Sequence, residues 1–256
     1  MGSPIRRSRF LRITLAGFAT LTLGVACVGG SQPDNQAVVG GVPFEAGEQA
    51  VYALHDNSGE VVARGTLAVT RDGDQLLLAQ SYTLVDGDGE PTDEVLVTVD
   101  ATSLTPLRLA RTVQTADGED RYAAGYEAVS NDAAAVLLDS TIDGNTEQRE
   151  LELGENYYDN ECSLWLWRTL DFADGYVQRY TAVNHLDRNQ QTVILRVIDR
   201  QTVEVPAGTF EAWRLQVRNG RATRVAWINV DAPHQIVQWD NGSIVFRLKE
   251  FHAGGR

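Results

Sequence analysis

The chain has 256 residues, 22 Lys+Arg against 35 Asp+Glu and a net charge of −13. That balance argues against nucleic acid as a partner, because phosphate binding needs a basic footprint. Hydrophobic residues at 43% and charged residues at 22% exclude wholesale disorder, and two Cys cannot build a disulfide scaffold.

The first predicted element is an address. Arg6, Arg7, Arg9 and Arg12 form a basic start without acids, and residues Ile13 to Ala26 are uncharged and mostly apolar. Such a run is too short to span a bilayer and has the length of a signal-peptide core. It ends in Leu23-Gly24-Val25-Ala26-Cys27, which resembles a bacterial lipobox. Small residues there let a peptidase approach the backbone, and the Cys27 thiol would carry the lipid. Leu stands one position earlier than in the usual pattern. A secretory cut after Gly24-Val25-Ala26, with a secreted product, is the alternative. Arg6-Arg7 also hints at twin-arginine export, with Phe10 one residue late. Residues 27–42 then read as the lipidated Cys and a Gly-, Pro- and polar-rich tether. Removing residues 1–26 takes away four Arg and no acid, leaving 18 basic against 35 acidic residues, or −17.

From residue 43 to 252 the dominant period is two, the mark of strands with one wet and one dry face. Val95, Val97 and Val99 alternate, as do Trp213, Leu215 and Val217, and Ile244, Phe246 and Leu248. Thr192-Val-Ile-Leu-Arg-Val-Ile198 is apolar on both sides and predicts a central strand covered on both faces. Asp72-Gly73, Asp117-Gly118, Asp143-Gly144, Asn219-Gly220 and Asn241-Gly242 mark hairpin turns, the first expected to carry positive φ at both Asp72 and Gly73. Short turns exclude parallel neighbours. The expectation is a mainly β fold, one strongly curved or barrel-like antiparallel sheet of about a dozen strands. One segment breaks the pattern: Cys162, Leu166 and Leu170 recur at helical spacing, with Asp159 or Asn160 as the N-cap, predicting one short helix over about 161–171. Trp165 and Trp167 lie about 200° apart on such a helix, so one of them is expected at a rim or contact surface.

Four stretches resemble an exported bacterial family, domain of unknown function 3108. They are Pro43-Phe-Glu-Ala-Gly-Glu-Gln-Ala-Val-Tyr52, Tyr158-Asp-Asn-Glu-Cys-Ser-Leu-Trp-Leu-Trp-Arg168, Val203-Glu-Val-Pro-Ala-Gly-Thr-Phe-Glu-Ala-Trp213 and Ala226-Trp-Ile-Asn-Val-Asp-Ala-Pro233. The resemblance spans roughly 43 to 250. It implies an exported, curved antiparallel β fold and implies no reaction.

Candidate chemistry is sparse. His55, His185, His234 and His252 show no metal-ligand spacing. The acidic run Asp86 to Glu94 fails as a calcium loop, with Pro91 and Val97 where Gly and Glu are needed, and reads as a solvated hairpin. Cys162 would sit in the first helical turn, where a thiolate is favoured, but Cys more often packs in a core. A His185–Asp187 pair is the other hydrolytic candidate. No nucleophile elbow, phosphate loop or dinucleotide fingerprint occurs, so neither catalysis nor a cofactor is expected. All five Trp (Trp165, Trp167, Trp213, Trp227 and Trp239) fall in the second half. They are the candidates to line a ligand pocket or form a contact surface, the plainer reading being that they fill the core. The expected function is a membrane-anchored, non-enzymatic extracytoplasmic binding module for an apolar ligand or lipidated partner. A structural lipoprotein docking another envelope protein is the alternative.

Overall fold

The computed structural model describes residues 38–130 and 133–255. The signal segment, Cys27 and residues 28–37 lie outside the described residues. The strands are β1 (Gln49–His55), β2 (Val61–Asp72), β3 (Gln75–Leu84), β4 (Asp93–Asp100), β5 (Pro106–Thr115), β6 (Gly118–Ser130), β7 (Ala133–Ile142) and β8 (Asn145–Leu153). After β9 (Tyr157–Asp159) and a helical segment come β10 (Val177–Asn184), β11 (Asn189–Val205), β12 (Gly208–Asn219), β13 (Ala222–Asn229), β14 (Ile236–Asp240) and β15 (Val245–His252).

These strands form one 15-stranded sheet in the order β8-β7-β6-β5-β4-β3-β2-β1-β15-β14-β13-β12-β11-β10-β9. Each chain half is a meander, and the two are joined in the middle where β1 pairs antiparallel with β15, Gln49 opposite His252. Every pairing is antiparallel except β9 with β10. The sheet curls into a nearly closed barrel.

Alternation sets the register as expected. Val95, Val97 and Val99 are buried, as are Trp213, Leu215, Val217, Ile244, Phe246 and Leu248. A one-residue slip would turn each row out to water, so burial of one face fixes the pairing. On β11 only one face is dry, with Val193, Leu195 and Val197 buried. Ile194 is half-buried and Ile198 is 36% exposed, so the expectation that β11 is covered on both sides is corrected. Its outward isoleucines stay partly exposed because no described element closes over that face.

Turn chemistry differs in one place from the expectation. Asp72 pairs with Gln75, so the two-residue turn is Gly73-Asp74, and only Gly73 (φ 58°) has positive φ. The Asp143-Gly144 turn has positive φ at both residues, 50° and 77°, the geometry that matches strand twist in a two-residue hairpin.

Candidate functional site

The barrel-like wall holds a segment of its own chain. After β9 the backbone makes a 3-10 turn (Asn160–Cys162), one turn of α-helix, α1 (Ser163–Leu166), and a second 3-10 turn (Trp167–Thr169). The helical stretch therefore ends two residues before the expected 171, and Leu170 is already extended. Asp159 is the N-cap, its carboxylate accepting from the Glu161 amide at 2.8 Å. Every residue from Glu161 to Leu170 is buried.

Wall strands touch this plug from several sides. Gln80 of β3 donates to the Glu161 carbonyl at 2.5 Å. Tyr126 of β6 donates to the Asp159 carboxylate at 2.6 Å. The Trp167 indole donates to the Tyr180 hydroxyl of β10 at 3.1 Å and meets Trp239 of β14 at 4.8 Å between ring centroids. This corrects the expectation that Trp165 or Trp167 lies at a rim: both are buried. A helix enclosed by a wall has no outer face, and Leu-Trp-Leu-Trp is apolar all round, as buried helices are.

Two buried ion clusters hold the plug at its ends. At the first end, Arg111 of β5 reaches Asp93 of β4 through Nε to Oδ1 at 2.9 Å and Nη2 to Oδ2 at 2.5 Å, and Glu161 through Nη1 at 3.2 Å. Burial works against the Arg111 charge, but the two carboxylates outweigh it and raise its pKa. The same burial raises Asp93 and Glu161, with Arg111 opposing. The bidentate geometry marks Asp93–Arg111 as an ionised pair. At the other end, Arg168 donates to both Glu48 oxygens at 2.6 and 2.8 Å and to the Pro233 and His234 carbonyls at 2.8 and 3.1 Å. Its guanidinium lies 4.8 Å from the centre of the Phe44 ring.

Three of the four family-like stretches therefore meet at one side chain. Phe44 and Glu48 come from the first, Arg168 from the second and Pro233 from the fourth. In the sequence these residues carry no sign of a role. For Arg111 a signal existed: in Leu109-Ala-Arg111-Thr-Val113 the period of two puts an arginine in an inward position.

The other candidates resolve individually. Cys162 is buried, and its thiol donates to the Asp159 carbonyl at 3.1 Å. Burial, reinforced by Asp159, pushes its pKa well above the ordinary thiol value, so the nucleophilic thiolate is suppressed. A maleimide at neutral pH is expected to leave the folded protein unlabelled at Cys162 and to label it in urea; rapid labelling of folded protein would contradict this burial. His185 makes no pair with Asp187. Its two ring nitrogens have no partner, while Asp187 accepts from the Asn184 side chain at 3.0 Å. Burial, aided by Arg111, lowers the His185 pKa well below its usual value and keeps the ring neutral. Among the described residues no group of three or more His, Cys, Asp and Glu could hold a metal ion. The acidic run 86–94 is not wholly solvated: Asp93 is buried against Arg111.

Of the aromatics, Trp165, Trp167, Trp213 and Trp239 are buried among their neighbours, Trp213 stacked on Phe172 at 5.9 Å. Trp227 is half-buried in the opposite register and donates to the Gln201 side chain at 3.0 Å. On the outer wall small side chains leave an open groove of about 470 Å³, lined by Thr66, Ala68, Ala79, Ser81, Glu94 and Leu96 among others.

Asp159 is one titratable group near neutrality. Burial raises its pKa to about 7, against hydrogen bonds from Tyr126 and the Glu161 amide that lower it; Glu161 adds to the rise and Arg111 opposes it. The unfolded carboxyl ionises near 3.8, so between there and about 7 the native state binds the extra proton. This group's contribution to stability is therefore complete at the acid end and declines as pH rises through that window, by up to about 4 kcal/mol. Asp159→Asn keeps the capping oxygen and removes the titration. Urea unfolding from pH 5 to 8 is expected to show a flatter profile than the parent and a relative gain at pH 8. An unchanged slope would place the titration elsewhere.

The family model described as Protein of unknown function (DUF3108) matches residues 51–249. No curated protein matches the chain. Among solved structures, a beta-barrel-like protein of domain of unknown function DUF1849 from Brucella abortus is similar with a TM-score of 0.52 at 11% identity, over 82% of this chain and 98% of that one. A protein from Bacteroides fragilis described as exported, with a YmcC-like fold, aligns at 11% identity over 84% of this chain and 99% of its own, with a TM-score of 0.33.

Proposed function

Because the chain belongs to the DUF3108 family, a family with no stated activity, we propose a role built on its geometry: an extracytoplasmic, lipid-anchored, non-enzymatic docking module that offers its outer wall to another envelope protein. The observation carrying this reading is that the interior is occupied by the chain's own plug, 159–170. Four tryptophans that would line a ligand chamber are buried instead, Trp165 and Trp167 within the plug and Trp239 against Trp167. A partner is left with the outside.

The topology supports a polarity. β1 starts at Gln49 beside His252, so a tether from Cys27 joins the domain at that rim. The connections 56–60, 85–92 and 116–117 lie at the opposite rim and carry Asp56, Glu60, Asp86, Asp88, Glu90 and Asp117. An acidic domain is repelled from anionic head groups, so acyl chains must supply the attachment. Labelled palmitate should enter the full chain and be lost in Cys27→Ala; labelling that survives would remove the anchor from this reading.

For docking, photoreactive residues at Thr66 and Gln148 of the full chain in native membranes are expected to give a reproducible heteromeric adduct. Tryptophan fluorescence should not change saturably with palmitate. One acyl ligand bound per chain in native mass spectrometry, with a saturable fluorescence change, would overturn the docking reading in favour of an interior binding site.

A further inference from the structure

We propose that the outer edge of β8 is a strand-addition site for an extended, lysine- or arginine-rich segment of the docked partner. The proposal rests on the docking reading and names the surface that performs it.

β8 ends the sheet on one side and β9 on the other. Between them the wall does not close by a backbone ladder. Side chains cross instead: Arg188 pairs with Glu147, and Gln190 donates to the Glu152 carbonyl at 3.1 Å. An edge of nine residues, Asn145–Leu153, thus faces the seam with the backbone groups that do not point to β7. Apart from the Glu152 carbonyl, which Gln190 occupies, these edge groups have no ladder partner among the described residues, and such groups are a template for another strand. The edge has no proline and no lysine among its residues.

Burial marks the place as incomplete. Leu138 and Ser140 of β7 are 1% and 4% exposed. Arg149 and Glu147 stand directly opposite them and so share their inward face. Yet both are exposed, the Glu147 side chain at 62%. Inward residues are left wet here because the wall lacks its next strand.

Charge selects the occupant. With Glu147 paired to Arg188, β8 still carries Glu150 and Glu152 against Arg149. Two copies meeting edge to edge would set these acids against each other, and like charges across strands are destabilising. An extended segment alternating basic with apolar residues meets the acids and supplies the missing ladder, the mode in which main-chain bonds give affinity and side chains give specificity.

The test uses the full chain in detergent with three synthetic nine-residue peptides: alternating Lys and Val, alternating Glu and Val, and alternating Lys and Pro. The Lys-Val peptide is expected to bind and to slow hydrogen exchange of β8 amides at least tenfold. The other two should not, since one has the wrong charge and the other cannot donate to a ladder. Glu150→Lys with Glu152→Lys should weaken binding at least tenfold. Equal binding of the Lys-Pro peptide would overturn strand addition in favour of plain charge attraction. Protection confined to the β1–β5 wall would overturn the edge assignment while leaving the docking reading standing. Absence of binding by every peptide would also overturn the edge assignment, and the membrane adducts from Thr66 and Gln148 then judge docking independently.

Discussion

Arg168→Met is expected to cost about 3–5 kcal/mol of folding stability, because it breaks a buried ion pair from one side. Arg168 and Glu48 are both about 4% exposed. Without the guanidinium, the Glu48 carboxylate keeps no counter-charge, and the Pro233 and His234 carbonyls lose the donors that they share with it. The Phe44 ring loses its cation as well. A domain with stability of order 5–15 kcal/mol gives up a large share of it. The measurement is urea unfolding of the full chain in detergent. The double variant Arg168→Met with Glu48→Met leaves no charge alone and is expected to recover much of the loss. A single-variant loss below about 1 kcal/mol would mean that water reaches this cluster.

Arg111→Met has a similar size and a different dependence on acid. Asp93 and Glu161 would then face each other in the core with nothing between them, at a cost of about 3–5 kcal/mol near neutral pH. Burial already raises both carboxyls and Arg111 opposes it. Removing Arg111 raises them further above their unfolded values, so the variant's native state takes up protons at higher pH than the unfolded chain does. Its penalty should therefore shrink as pH falls from 8 to 5. Denaturant midpoints at the two pH values, for parent and variant, give the comparison. A penalty equal at both would show that lost packing, not stranded charge, is the cause.

The wall was legible in the sequence and the contents less so. Val95-Leu-Val97-Thr-Val99 could only be a strand with one dry face, and Asp143-Gly144 could only be a tight turn. Alternation is a local property, and the register that follows from it is local too. The plug departs from expectation because most helices in a small domain keep one wet side and this one keeps none. Leu164-Trp-Leu-Trp167 carries no polar stripe, which is itself the statement that the helix is surrounded. The ion clusters were hidden for another reason. Asp93 sits at the end of a run of acids that reads as solvated, and Glu48 lies 120 residues from Arg168. Long-range pairing of charges leaves no period in a sequence. The wet inward residues of β8 were unreadable for the same reason, since Glu147 and Arg149 look like any polar strand until their buried neighbours on β7 are known.

The β1–β15 pairing makes the molecule circular in a sense its linear sequence conceals. The two chain ends of the domain touch: Gly254 presses against the Ala46 backbone so closely that a Cβ there would collide, and Gln49 faces His252. The physical margins of the sheet lie mid-chain, on either side of residues 154–156. Trimming eight residues from the end of β15 would thus cut the sheet through its centre and part its halves, whereas a nick at 154–156 would sever no ladder. A circular permutant with new termini at that nick is the rearrangement this topology tolerates.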